Sequence, residues 1–300
     1  MSENELTYTL SNGIKVPRIG MGTWPLRGEN LEYLISKAIE LGYRMFDTAD
    51  NYFNEEFVGN VIVKHSKRDE LFIVTKLSDE KKMGFPYSSI GKYFYKTSPF
   101  MQTHSAKETV NLIFENSIKK LKTDYVDCLI MHWPYPDYFL EIYSAMEDLL
   151  KEGKVRSIGV SNCRERHLEL LRKNGLTKPH IHQLSLSPLN TKVSLVEYCK
   201  RENIRLVCYA PLMCARNKLF CDASISNKIA QKYGIGLSRL LLLWNMKQGF
   251  IPIPKSTHVE RLKENFETLA LDMNMDDVFS LSNLNCDYQY LPESVYCPGM

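Results

Sequence analysis

The chain has 300 residues, and 44% of them are hydrophobic, which is enough for one substantial core. Lys and Arg number 38 against 35 Asp and Glu, a near balance that argues against nucleic acid and against an anionic membrane surface as partners. The longest apolar run, residues 240–244, is far too short to span a bilayer.

The N-terminal residues and the cysteine pattern indicate in which cellular compartment we expect the protein. The first residues, MSENELTYTL, are polar and acidic, unlike a secretory signal. The eight cysteines form no C-x-x-C pair and no regular framework, so we expect a cytoplasmic protein with free thiols. His180 and His182 alternate along one predicted strand without a Cys pair beside them, so we expect packing histidines and no metal site.

In chain order, the first predicted element is a β-hairpin over residues 8–16, centred on the strong turn dipeptide Asn12-Gly13. After it, strand and helix patterns alternate to the end. The predicted strands are residues 18–21, 43–46, 71–75, 126–131, 155–160, 180–184, 204–209 and 250–253. The predicted helices are residues 31–41, 55–64, 106–121, 138–151, 165–172, 193–201, and 225–233 continuing through 237–247.

Short motifs mark several helix boundaries. Ser105 with Glu108, and Thr257 with Glu260, have the spacing of capping boxes and predict helix starts. Three glycines predict helix ends: Gly42, Gly153 and Gly175.

Eight alternations of strand and helix predict either a parallel sheet closed into a barrel or an open, doubly wound sheet. The sequence lacks a G-x-G-x-x-G after an early strand, and its polar candidates follow nearly every strand, which favours the barrel. We therefore predict one α/β domain over residues 1–300, a (β/α)8 TIM barrel with an N-terminal β-hairpin and a long insertion after strand 3, residues 78–105.

Four polar residues lie just past the ends of predicted strands: Asp47, Tyr52, Lys76 and His132. The C-terminal strand ends of such a barrel converge on one face, and the active sites of barrel enzymes lie on that face. An acid, a phenol, an amine and an imidazole gathered there are typical of proton delivery. As single residues, each has a structural alternative: an ion pair at the rim, a core phenol or a packed histidine.

Several longer motifs carry a family resemblance. They are GYRMFDTADNY at 42–52, TKL at 75–77, DYVD at 124–127, MHWP at 131–134, GKVRSIGVSN at 153–162, and IPKS at 253–256 followed by Arg261, Glu264 and Asn265. In this order and at these spacings they resemble the aldo-keto reductase family, from the hairpin to about residue 270.

The resemblance implies a barrel that binds NADPH/NADP+ and transfers hydride to a small-molecule carbonyl substrate, an aldehyde or ketone. Tyr52 would be the general acid. A free phenol has a pKa near ~10, and we expect the Lys76 ammonium to lower it, with Asp47 fixing Lys76. His132 would donate a hydrogen bond to the carbonyl oxygen.

The last predicted helix start is the expected phosphate site. Thr257 would cap it, and its free N–H groups and positive dipole end would bind an anion. Lys255, Ser256 and Arg261 suit the 2′-phosphate of NADPH, which NADH lacks. Asn265 would contact the adenine. The alternative is a solvated helix face.

By resemblance, the nicotinamide would be held by hydrogen bonds from Ser161, Asn162 and Gln183 and by the ring of Tyr209. The expected substrate pocket is aromatic: Trp24, Phe53 and Trp133. Ser78 stands where the family commonly has tryptophan. The aromatic-rich insertion that follows is either a lid over the barrel mouth or a protein contact.

Two other functions stay open. The chain also resembles the potassium-channel β-subunits, so it is alternatively an NADP(H)-binding, redox-sensing regulatory subunit with little turnover. In a (β/α)8 isomerase or aldolase, Lys76 would instead form a Schiff base. We expect a monomer.

Overall fold

The computed structural model describes residues 6–65, 67–78, 103–289 and 291. Its strands are β1 Thr7–Thr9, β2 Lys15–Pro17, β3 Met21–Gly22, β4 Met45–Asp47, β5 Phe72–Leu77, β6 Cys128–Met131, β7 Ile158–Ser161, β8 Ile181–Leu184, β9 Arg205–Cys208 and β10 Ile251–Pro252. Its α-helices are Gly28–Glu40, Glu55–Lys64, Ala106–Leu121, Phe139–Lys151, Glu165–Lys173, Val193–Arg201, Lys218–Cys221, Ser224–Lys232, Leu237–Lys247, Val259–Glu267 and Met275–Ser282.

Strands β3 to β10 form an eight-stranded sheet in sequential order, and neighbouring strands run parallel. The two ends of this sheet meet, because the N–H groups of Gly20 and Gly22 donate to the carbonyls of Pro252 and Pro254 at 3.1 and 3.2 Å. A side chain at Gly22 would place its Cβ 2.9 Å from the Ile253 carbonyl oxygen, so the seam requires glycine there. The predicted (β/α)8 barrel is confirmed, and the open-sheet alternative is wrong.

The barrel has a filled interior and a closed bottom. Apolar side chains from alternate strand positions form the interior cluster, which includes Met45, Phe72, Val74, Ile130, Ile181 and Val207. Leu10 and Val16 of the N-terminal hairpin belong to the same cluster. The hairpin pairs Thr7 with Pro17, as the Asn12-Gly13 turn predicts. Because the hairpin plugs the N-terminal end, the C-terminal strand ends are left to form a site.

Several predicted boundaries are confirmed and others are wrong. The helices at Glu55–Lys64, Ala106–Leu121 and Val193–Arg201 begin and end where predicted, and Ser105 forms its capping box with Glu108. The predicted continuous helix from residue 225 to 247 is instead two helices, because Gly234 takes a left-handed φ of +62° and ends the first.

The predicted cap at Thr257 is also wrong. The helix begins at Val259 with His258 as its N-cap, and the Ser256 hydroxyl accepts a hydrogen bond from the His258 N–H at 3.0 Å. The side chain of Ser256 therefore stabilises the turn that precedes the helix.

Residues 79–102 of the predicted insertion lie outside the described residues, so its role as a lid or a protein contact stays a prediction. Among the described helices, none combines the length and apolar character that crossing a bilayer requires.

Candidate active site

The alternation of side chains along the strands places three polar residues at the top of the barrel interior. In β5, Phe72 and Val74 face the interior, so Lys76 two positions further on faces it too. By the same rule Asp47 follows Met45 in β4, and Gln183 follows Ile181 in β8. These positions are the last inward-facing ones before each strand ends.

Lys76 and Asp47 form a buried ion pair, with Nζ 2.5 Å from Oδ1. The lysine side chain has no exposed surface and the aspartate side chain only 4%. The ammonium also donates to the Thr48 carbonyl at 2.8 Å and to the Tyr52 hydroxyl at 3.4 Å. All three ammonium hydrogens therefore have partners, and one of them points at the phenol.

The second oxygen of Asp47 is also engaged, because the side-chain amide of Gln183 donates to Oδ2 at 2.7 Å. Both carboxylate oxygens of Asp47 thus have hydrogen-bond donors, which fixes the orientation of the carboxylate. Gln183, expected at the nicotinamide, thus also supports the carboxylate that holds Lys76.

Tyr52 is presented by a short 3-10 helix, Asp50–Tyr52, which ends at Phe53 with a left-handed φ of 54°. The Arg27 guanidinium donates to the Tyr52 carbonyl at 2.9 Å and fixes this turn. The phenol ring lies between two other rings: Trp24, with centroids 5.1 Å apart, and His132, at 5.8 Å and nearly perpendicular. The structure therefore brings Asp47, Tyr52, Lys76 and His132 together.

The charge states of Tyr52 and Lys76 follow from burial and pairing. Burial raises the pKa of Tyr52; the Lys76 ammonium opposes this, but the net pKa stays above its usual value. The expectation of a lowered Tyr52 pKa is therefore wrong, since desolvation outweighs the ammonium. Burial by itself would lower the pKa of Lys76, but Asp47 and Tyr52 raise it above the usual range. At neutral pH a protonated phenol thus sits beside a charged ammonium.

A second hydrogen-bond network lies at the ends of β7 and β8. It is next to the group formed by Asp47, Tyr52, Lys76 and His132. Asn162, with a left-handed φ of 59°, donates to the Ser161 hydroxyl at 3.1 Å and accepts from the Tyr209 hydroxyl at 2.9 Å. Ser161 in turn donates to the Gln183 carbonyl at 3.0 Å. Hydroxyl and amide groups held this way match the donors and acceptors of a carboxamide, so the residues fit the nicotinamide end of a dinucleotide.

The residues expected at the phosphate end lie around the start of the helix Val259–Glu267. Lys255 and Arg261 are exposed, while Ser256 and Asn265 are buried at about 5% exposure. Two accessible cations near a helix N-terminus fit a terminal phosphate. The Ser256 hydroxyl is shared with its own turn, donating to the His258 carbonyl at 3.0 Å.

The three predicted pocket aromatics occupy different environments. Trp24 is 48% exposed and touches the Tyr52 ring, as a pocket wall would. The Phe53 ring packs under the Arg27 guanidinium at 5.4 Å. Trp133 is only 6% exposed and belongs to the hydrophobic layer between sheet and helices.

Sequence reasoning missed two contacts at this site. It did not foresee the bond from Gln183 to Asp47, nor the bond between Ser78 and His132, whose Oγ and Nδ1 lie 2.8 Å apart. The inward alternation along β5 and β8 was the available signal, since it places Gln183 and Ser78 on the same side as Lys76.

The chain is similar to known proteins over most of its length. The chain matches the model of the Aldo/keto reductase family over residues 18–285. It is 33% identical over 289 residues to the glyoxal reductase of Bacillus subtilis (strain 168), covering 95% of both chains. A crystal structure of an aldo-keto reductase from a Medee basin deep-sea metagenome library has a TM-score of 0.82 at 31% identity, covering 95% of this chain and 97% of that one. A Bombyx mori aldo-keto reductase in complex with NADP has a TM-score of 0.80 at 28% identity, covering 96% and 95%. This chain belongs to the aldo-keto reductase family.

Proposed function

We propose that the protein is an NADPH-dependent reductase that converts aldehydes or ketones to alcohols. The observation that carries the proposal is the Tyr52 hydroxyl, 3.4 Å from an ammonium whose charge Asp47 maintains. The similarity to a glyoxal reductase and to a structure in complex with NADP supports the same reaction class.

When bound, NADPH would supply the hydride. Addition of hydride to the carbonyl carbon leaves negative charge on oxygen, and Tyr52 donates its phenolic proton to that oxygen. The raised pKa keeps Tyr52 protonated before the reaction. As the proton leaves, the phenolate forms beside the Lys76 ammonium, which stabilises the new charge in a poorly solvated site. Asp47 therefore contributes to proton transfer by holding the Lys76 ammonium in place beside the forming phenolate.

The other residues bind and orient. His132, whose ring lies edge-on to Tyr52, donates a hydrogen bond to the substrate oxygen. Ser161, Asn162 and Gln183 would hold the nicotinamide carboxamide, and Tyr209 would pack against the nicotinamide ring. Lys255, Ser256, Arg261 and Asn265 would hold the phosphate and adenine end. Trp24 and Phe53 would line the substrate pocket, whereas Trp133 lies in the hydrophobic layer between sheet and helices.

The substitution Tyr52→Phe tests the acid, because it removes only the hydroxyl. We expect carbonyl reduction, followed by loss of NADPH absorbance, to fall by about 10²- to 10⁴-fold. NADPH binding, measured by fluorescence quenching, should be unchanged. The matched control is Tyr33→Phe, at a 53% exposed helix position away from the site. Near-normal turnover by Tyr52→Phe would overturn the assignment.

The double substitution Lys255→Ala/Arg261→Ala tests the cofactor assignment. Because only NADPH carries the 2′-phosphate, its Kd should rise far more than that of NADH. Lys263→Ala removes an exposed lysine from the same helix, paired only loosely with Glu267 at 3.8 Å, and should leave both affinities intact. Equal losses for the two nucleotides contradict the phosphate site.

A broad panel of carbonyl compounds separates this function from its rivals. Tight NADPH binding without turnover on any aldehyde, ketone, quinone or sugar would favour the regulatory subunit. A Schiff base requires a neutral amine, whereas the ion pair with Asp47 offsets the effect of burial and keeps Lys76 charged. Borohydride trapping of substrate on Lys76 would nevertheless establish that chemistry.

A further inference from the structure

Ser78, the residue that follows β5, contacts the imidazole of His132. Ser78 is 1% exposed, and its Oγ lies 2.8 Å from Nδ1 of His132. The contact follows from sheet register, because Leu77 pairs with Met131 across β5 and β6. Residues 78 and 132 are therefore the next pair beyond the ladder, and the His132 N–H donates to the Leu77 carbonyl at 3.1 Å.

The backbone and the ring of His132 each have a further contact. The Asn162 amide donates to the His132 carbonyl at 3.2 Å. The Tyr52 ring approaches the imidazole edge-on, with centroids 5.8 Å apart at 72°. With backbone and ring both constrained, the position of the imidazole proton is what decides which nitrogen donates.

We propose that Ser78 is a positioning residue that holds His132 in the neutral tautomer with its proton on Nε2. A neutral imidazole has one N–H donor and one acceptor nitrogen, and a serine hydroxyl rotates to donate. When Ser78 donates to Nδ1, the proton is on Nε2, and that N–H is the donor to the substrate carbonyl oxygen. A carbonyl oxygen only accepts, so the opposite tautomer would present it with a lone pair.

The inference rests on the proposed reductase function, and a double-mutant cycle tests it there. Ser78→Ala should lower kcat/KM for an aldehyde about three- to tenfold, the effect of one lost hydrogen bond, with NADPH affinity unchanged. Ser78→Thr keeps the hydroxyl and should restore most of the activity. In a His132→Ala background, Ser78→Ala should change nothing further. An equal loss in that background would overturn the proposal, because Ser78 would then act without His132.

A second measurement needs no turnover and separates this proposal from the reductase assignment. Long-range ¹H–¹⁵N spectra of the free protein report which imidazole nitrogen carries the proton. The His132 signal is identified by its loss in His132→Ala. We expect the Nε2–H form in the wild type and Ser78→Thr, and a mixture of tautomers in Ser78→Ala. A proton on Nδ1 in the wild type overturns the proposal, whether or not the protein reduces carbonyls.

Discussion

The buried pair of Lys76 and Asp47 makes a prediction that separates stability from catalysis. Lys76→Met leaves the Asp47 carboxylate buried with only the Gln183 amide on its second oxygen. Asp47→Asn leaves the ammonium buried with the Thr48 carbonyl and the Tyr52 hydroxyl. Each single substitution leaves one buried charge without its oppositely charged partner, in a site that is almost fully shielded from water.

The expected magnitude follows from that burial. With 0% and 4% exposure, solvent screens neither charge, so breaking the pair should cost about 3–5 kcal/mol of unfolding free energy for each single variant. The remaining hydrogen bonds place the value near the lower end. The double variant Asp47→Asn/Lys76→Met removes both charges and should be more stable than either single variant.

The assay is urea unfolding followed by circular dichroism, with activity measured on the same samples. The double variant should recover stability but not turnover, because Tyr52 then lacks its cation. Lys247→Met is the control: its bond to Asp272 has a similar 2.6 Å length, but the aspartate is 82% exposed, so the loss should stay below about 1 kcal/mol. Strictly additive losses in the double variant would refute the reasoning, since they would mean that the two charges do not stabilise each other.

Two further predictions concern stability. Burial lowers the pKa of His182 to about 3 from 6.5, so the unfolded chain takes up the proton first and stability falls as pH drops from 6.5 towards 3. At about 1.4 kcal/mol per pH unit, this amounts to roughly 2 kcal/mol between pH 7 and pH 5. His182→Leu should lose that dependence in urea titrations at the two pH values; an unchanged slope would contradict it. Ser105→Ala removes the capping box of the helix Ala106–Leu121 and should lower the unfolding free energy by about 1 kcal/mol, while Ser105→Asp keeps most of it. Equal destabilisation by both would show that the cap is not the cause.

Local signals in the sequence determined the elements and the candidates. Alternating apolar periodicity predicted eight strand–helix units, and the polar residues past the strand ends predicted which side chains meet at the barrel mouth. The hairpin at Asn12-Gly13 and the cap at Ser105 each depend on only a few neighbouring residues, so both can be predicted without knowledge of the fold. The error at residues 225–247 has a local cause too: both halves have helical periodicity, and the break lies in the short segment with Gly234 and Gly236.

Long-range contacts and desolvation were decided by the tertiary structure alone. The bond from Gln183 to Asp47 joins residues 136 positions apart. Strand alternation indicates that both side chains face the barrel interior, but not that they are in contact. The sign of the Tyr52 pKa shift depends on how deeply the barrel buries the phenol relative to its distance from the ammonium. The sequence identifies which groups can exchange a proton. Their packing in the fold sets the distances and the solvation that determine which group carries the proton.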